Sequence, residues 1–147
     1  MKNRELAIDY ARRAGARLAA LDVLFDRESW PDVVRESQEA VELALKALLR
    51  ACDVEPPRIH DVSEVLLAEK ERLPGSAREH VERLAGISRD LRRDRELAFY
   101  GAEDLTPSRF YSRDDALRAR EGARFTVELV LRHVGTANPP EGKQPRR

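Results

Sequence analysis

One stretch limits the folds open to this chain more than any other: residues 30–53, where Val33, Val34, Ala40, Val41, Ala44, Leu45, Ala47, Leu48 and Ala51 recur at helical spacing. A helix with this many apolar positions shows more than one stripe, so it needs neighbours on two sides. The spacing predicts a central helix and, with it, a bundle. Pro31 in the first turn, and Ser29 with Asp32 three positions on, mark its entry, and Pro56-Pro57 breaks the chain beyond it.

Four further segments fit around that centre. Ala7, Ala11, Ala14, Leu18, Leu21 and Phe25 alternate steps of four and three, which predicts a helix over 3–27. Asp61 with Glu64 opens a short helix over 61–73, carrying Val62, Val65, Leu66 and Leu73 and ended by Pro74-Gly75. Ser76 with Glu79 opens another over 76–98, whose seam runs Ala77, Val81, Leu84, Ser88, Leu91, Arg95 and Ala98. After a loop from Phe99 to Tyr111, Ser112 with Asp115 caps a fifth over 112–134, bearing Ala116, Ala119, Ala123, Val127, Val130 and Val134 and stopped by Gly135.

No stretch alternates with a strand period. The expected fold class is therefore all-α, an antiparallel up-and-down helical bundle of about five helices over residues 1–135. Residues 136–147, with Pro139, Pro140 and no apolar periodicity, read as a disordered tail. Gly15, Gly86 and Gly122 fall inside helices at a cost of about 1 kcal/mol each relative to Ala. Close helix approach is the simplest reason to accept that cost.

A chain of 147 residues suits one hydrophobic core. Its 27 Lys and Arg balance 27 Asp and Glu, so no global field marks a non-specific nucleic-acid or membrane binder, and a site for a charged ligand must be local. No apolar run approaches a membrane span, and Met1-Lys2-Asn3-Arg4-Glu5 begins no signal peptide. Cys52 stands alone and can form no intramolecular disulfide. A cytoplasmic protein without membrane contact is the expectation.

The sequence has no phosphate-cradling glycine loop, and His60, His80 and His133 with Cys52 do not make a metal-ligand spacing, so neither a metal nor a cofactor is expected. His133 suits the dipole at the end of its helix, His80 reads as a surface residue and Cys52 as a small core residue. His60, just before a helix start, is either a boundary residue or part of a site.

Two constellations carry chemistry. Gln38, Glu42 and Lys46 are spaced by four and stack on one side of the central helix. They form either a solvated Glu-to-Lys pair or a polar strip inside a cleft. Arg95 lies on a buried seam, with Arg92 and Arg93 before it and Phe99-Tyr100-Gly101 after it. A guanidinium there needs a carboxylate, with Glu42 a candidate, or an anionic ligand, because an unpaired buried charge is very costly.

The run Glu36-Ser37-Gln38-Glu39-Ala40-Val41-Glu42-Leu43-Ala44-Leu45-Lys46-Ala47-Leu48-Leu49 resembles the signature helix of HEPN domains, the higher-eukaryote and prokaryote nucleotide-binding fold. Arg58-Ile59-His60-Asp61-Val62 is similar to the histidine turn before that family's third helix, and Arg93-Asp94-Arg95-Glu96-Leu97-Ala98-Phe99-Tyr100-Gly101 to the segment of its arginine motif. The resemblance covers about residues 3 to 135. It implies an up-and-down bundle, commonly a homodimer, often encoded beside a minimal nucleotidyltransferase in a toxin and antitoxin arrangement.

Many members are metal-independent ribonucleases in which an arginine and a histidine, separated by four to six intervening residues, act together at the dimer interface. Here the arginine matches Arg95, and after four intervening residues stands Tyr100. A histidine near pKa ~6.5 shuttles protons at neutral pH, whereas a tyrosine near ~10 is a poor base. Arg95 and Tyr100 are thus the catalytic candidates of a degenerate nuclease motif, while Gln38, Glu42, Lys46, His60 and Arg95 are candidates for holding a nucleotide or RNA. The resemblance leaves three functions open: a dimeric nucleotide- or RNA-binding partner of a minimal nucleotidyltransferase; a metal-independent ribonuclease toxin with Tyr100, Tyr111 or His60 as base; and a helical interaction module without a ligand.

Overall fold

The computed structural model describes the backbone of residues 2–58, 61–100 and 106–135, and the side chains of these except 94–100. The described chain is helical and contains no strand. In order it forms α1 (Lys2–Asp26), α2 (Trp30–Ala51), α3 (Val62–Ala68) with a 3-10 turn at Lys70–Arg72, α4 (Gly75–Glu79), α5 (Val81–Tyr100), α6 (Pro107–Phe110) and α7 (Arg113–Val130), which runs on into a π turn at Leu131–Gly135.

The predicted centre is the observed one. α2 packs against α1, α7 and α5, and Leu45, Leu48 and Leu49 are completely buried along it. Each such leucine stabilises the fold by about 1.5–3 kcal/mol through the area it removes from water. The remaining side of α2 is a partly exposed lane holding Arg35, Glu39, Glu42, Leu43 and Lys46. On α1 the predicted seam is buried at Ala7, Ala11, Ala14, Leu21 and Phe25, with Leu18 half-buried.

α1 and α2 end the same way. Glu28 (φ 59) and Asp53 (φ 60) adopt the left-handed conformation. The following amides reach back five residues, Ser29 N to Leu24 O at 3.0 Å and Val54 N to Leu49 O at 2.8 Å. These are Schellman caps built without glycine. At the start of α7 the predicted cap is complete: Asp115 N donates to Ser112 Oγ at 3.2 Å and Ser112 N donates to Asp115 Oδ2 at 2.8 Å.

Several boundaries differ from the sequence reading. The predicted helix over 61–73 stops at Ala68 and tightens into the 3-10 turn, because Leu73 is already extended (φ −80, ψ 151) ahead of Pro74. The predicted helix over 76–98 begins at Gly75 with Pro74 as its N-cap, and it is interrupted at His80 before restarting as α5. Ser76 does not cap it; its hydroxyl lies 2.5 Å from His133 Nε2. Ser29 likewise makes no side-chain bond to the α2 backbone and donates instead to Asp32 Oδ2 at 2.6 Å. The expected loop from Phe99 to Tyr111 holds the last two residues of α5 and the short α6.

The glycines divide. A Cβ on Gly122 would sit 3.1 Å from Ile87 Cγ2, so this glycine does let α7 approach α5 closely. At Gly15 a Cβ would make ordinary contact with Leu131, and at Gly86 it would meet nothing within 4 Å. Close approach does not account for Gly86. The expected tail, 136–147, lies outside the described residues.

Candidate functional site

α2 brings Gln38, Glu42 and Lys46 together as their spacing required. Gln38 Nε2 donates to Glu42 Oε1 at 2.7 Å, and Lys46 Nζ lies 3.5 Å from Glu42 Oε2. From α5, Arg92 NH1 approaches the same Oε2 at 4.0 Å. Glu42 is therefore the hub of a small polar network that ties α2 to α5, and Lys46 and Arg92 balance its charge. Gln38 is 5% exposed, and its Oε1 is buried with no hydrogen-bond partner among the described residues. That leaves an unused acceptor on the residue that donates to Glu42.

The carboxylate that sequence reasoning offered to Arg95 is thus already approached by Arg92. The side chains of Arg95, Phe99 and Tyr100 lie outside the described residues, as does His60. The backbone of α5 is unbroken from Val81 to Tyr100. Val81, Leu84, Ser88 and Leu91 are buried along its seam. Position 95 follows Leu91 by four residues and so continues that seam by one turn. Tyr111 is 6% exposed and stacks edge-to-face on Phe110 at 5.0 Å.

Beside this network, α5 and α7 enclose a groove of about 390 Å³. Ile87, Leu91, Ala119 and Gly122 contribute its apolar lining, while Asp90, Arg93, Asp115 and Arg118 contribute charged groups. The charges are mostly matched: Arg118 donates to Asp115 at 2.7 Å, and Arg93 lies 3.7 Å from Asp90. Burial alone would raise the Asp115 pKa, but hydrogen bonds from the Ser112 amide and hydroxyl, with the Arg118 guanidinium beside them, hold it below the ordinary carboxylate value. Sequence reasoning missed this groove. The one local signal was Gly122, a glycine inside a helix where a larger residue would fill the approach to Ile87.

The other singled-out residues sit away from this region. His80, expected at the surface, is half-buried with its ring 5.4 Å from Phe125 in an edge-on contact. His133 is exposed in the π turn beside Ser76. Cys52 is half-buried and packs against the edge of the core; burial pushes its thiol pKa up, with Arg72 opposing and Asp53 adding to the rise. A raised pKa keeps the thiol protonated and unreactive near neutral pH. Among the described residues no three His, Cys, Asp or Glu side chains converge on a metal-binding position, and no helix is long and apolar enough to cross a membrane.

Comparison with known families matches residues 7–134 to the HEPN domain. No curated protein and no solved structure matches the chain.

Proposed function

Since the chain belongs to the HEPN domain family, we propose that it is a dimeric nucleotide- or RNA-binding protein that partners a minimal nucleotidyltransferase in a toxin–antitoxin-like module of the cytoplasm. Arg95 is the phosphate contact, and Tyr100 occupies the place of the nuclease histidine. The observation that supports this most is the unbroken α5. It carries the arginine segment one turn beyond Leu91, alongside the Glu42 network of the signature helix, where Gln38 Oε1 is still unpaired among the described residues.

In this reading Arg95 neutralises a phosphate or a pentavalent transition state, and Tyr100, in the place of the nuclease histidine, is a poor base near neutral pH. Binding outlasts cleavage. The test is RNA binding and cleavage by three variants. Arg95→Ala should abolish binding with unchanged helical content, and Arg95→Lys should recover only part of it, since the bidentate fork is lost. Tyr100→His should raise RNA cleavage by restoring an arginine-to-histidine spacing. Wild-type binding by Arg95→Ala, together with no gain of cleavage in Tyr100→His, would sink the assignment. Co-purification of the chain with a nucleotidyltransferase encoded beside it tests the partner.

A further inference from the structure

The edge where α7 meets α1 gathers three guanidiniums around one carboxylate and one phenyl ring. The Arg120 guanidinium lies over Phe25 at 3.9 Å from the ring centroid, and Arg113 lies over the same ring at 5.3 Å. Arg120 NH1 is 3.3 Å from Asp22 Oδ1, and Arg124 NH2 is 3.7 Å from that same oxygen. Arg113 has no ion-pair partner among the described residues, and Arg120 Nε is buried without an acceptor. Three positive charges therefore share one negative charge, in a chain whose total charge is balanced.

The arrangement is linear. Positions 113, 120 and 124 differ by seven and four, which places them on one edge of α7, about 10 Å and about 6 Å apart along its axis. Of the acidic residues on the exposed face, Asp114 and Glu121 lie further round the helix, and Glu128 follows Arg124 by one turn, at the end of the row. None of them comes within ion-pairing distance of the row among the described residues. The groove residues Ala119 and Gly122 are on the opposite edge. Stacking on Phe25 holds two of the forks in place before any ligand arrives, which lowers the ordering cost of binding.

We propose that Arg113, Arg120 and Arg124 form a track for the phosphodiester backbone of single-stranded RNA, distinct from the Arg95 segment. A narrow row of forks flanked by carboxylates suits a linear polyanion. A broad anionic membrane would be pressed against Asp114, Glu121 and Glu128. The inference rests on the reading of the protein as an RNA binder, and it adds a second place where the strand is held.

The experiment is fluorescence anisotropy of a fluorescein-labelled oligouridylate between about 50 and 200 mM salt, with circular dichroism to check folding. The double variant Arg113→Ala/Arg124→Ala should bind about tenfold more weakly at the low end, with a log–log salt slope shallower by about 1.4, as for two lost phosphate contacts on a single strand. Asp22→Asn should bind more tightly, because it removes the carboxylate that competes with phosphate. A control double variant on other faces, Arg12→Ala/Arg89→Ala, makes the same change in total charge at exposed positions and should bind like the wild type. An equal loss in the control, or wild-type affinity and slope in the α7 double variant, would overturn the track. Arg95→Ala, measured alongside, judges the other site independently: its loss with an unaffected α7 double variant leaves that site standing and removes the track. An α7 loss with unaffected Arg95→Ala does the reverse. No binding of the RNA by the wild type overturns both.

Discussion

Asp115 shows how one side chain can fix an element and set a pH dependence together. Its carboxylate accepts from the Ser112 amide at 2.8 Å and from Arg118 at 2.7 Å, and these contacts outweigh the effect of burial and lower its pKa. A carboxylate whose folded pKa lies below its unfolded value of about 3.9 stabilises the fold while ionised, fully above that value, and the contribution is lost as pH falls through the folded pKa. Thermal melts should therefore show Asp115→Asn less stable than the wild type at about pH 6, with the gap narrowing as the pH falls below about 3.9. A gap that stays constant from about pH 6 down through the acid limb to about pH 2 would contradict the assignment. Ser112→Ala removes the other half of the capping box and should cost about 1 kcal/mol. At the same scale lies the limit of what spacing reveals. Positions 38, 42 and 46 were legible as one strip because a step of four defines a helical face. Which arginine reaches Glu42 was not legible, since Arg92 and Arg95 are less than one turn apart and both have long side chains.

At the scale of the element, α1 and α2 close with a left-handed residue that is not glycine. Glu28 is exposed and holds φ 59, a conformation that brings its Cβ against its own backbone. Glu28→Gly removes that strain at the cost of a more flexible unfolded chain, and the balance should favour the variant by about 0.5–1 kcal/mol. A melting temperature higher by a few degrees is the expected reading, and a lower one would mean that the Glu28 side chain makes a contact the cap depends on. The four long helices were all legible from apolar seams and from Pro31, Ser112 and Gly135, because burial periodicity and backbone chemistry are local. The interruption at His80 was not. No proline or glycine stands there, and the ring packs on Phe125, a contact whose partner is 45 positions away in the chain. The groove was hidden for the same reason, since its two walls come from α5 and α7.

For the whole molecule, α2 is the element that the others are built around. Leu45 is completely buried there. Leu45→Ala should cost about 2–5 kcal/mol, and Leu45→Asp should leave no cooperative melt, because its charge has no partner at that position. A soluble Leu45→Asp variant with an unchanged melting temperature would refute the central placement. The dimer proposed above predicts a light-scattering mass about twice that of one chain, and a monomer across a broad concentration range would count against it.

α2 meets α1 close by in the chain, yet it meets α7 from across more than sixty residues. During synthesis the α1–α2 hairpin can pair early, but the wall supplied by Ala123, Val127 and Val130 is still inside the ribosome. Until residues 113–130 emerge, α2 presents a bare apolar flank. The domain thus passes through a half-built stage whose exposed surface is the one that later becomes its best-protected interior, and the stretch that shields it is translated long after it.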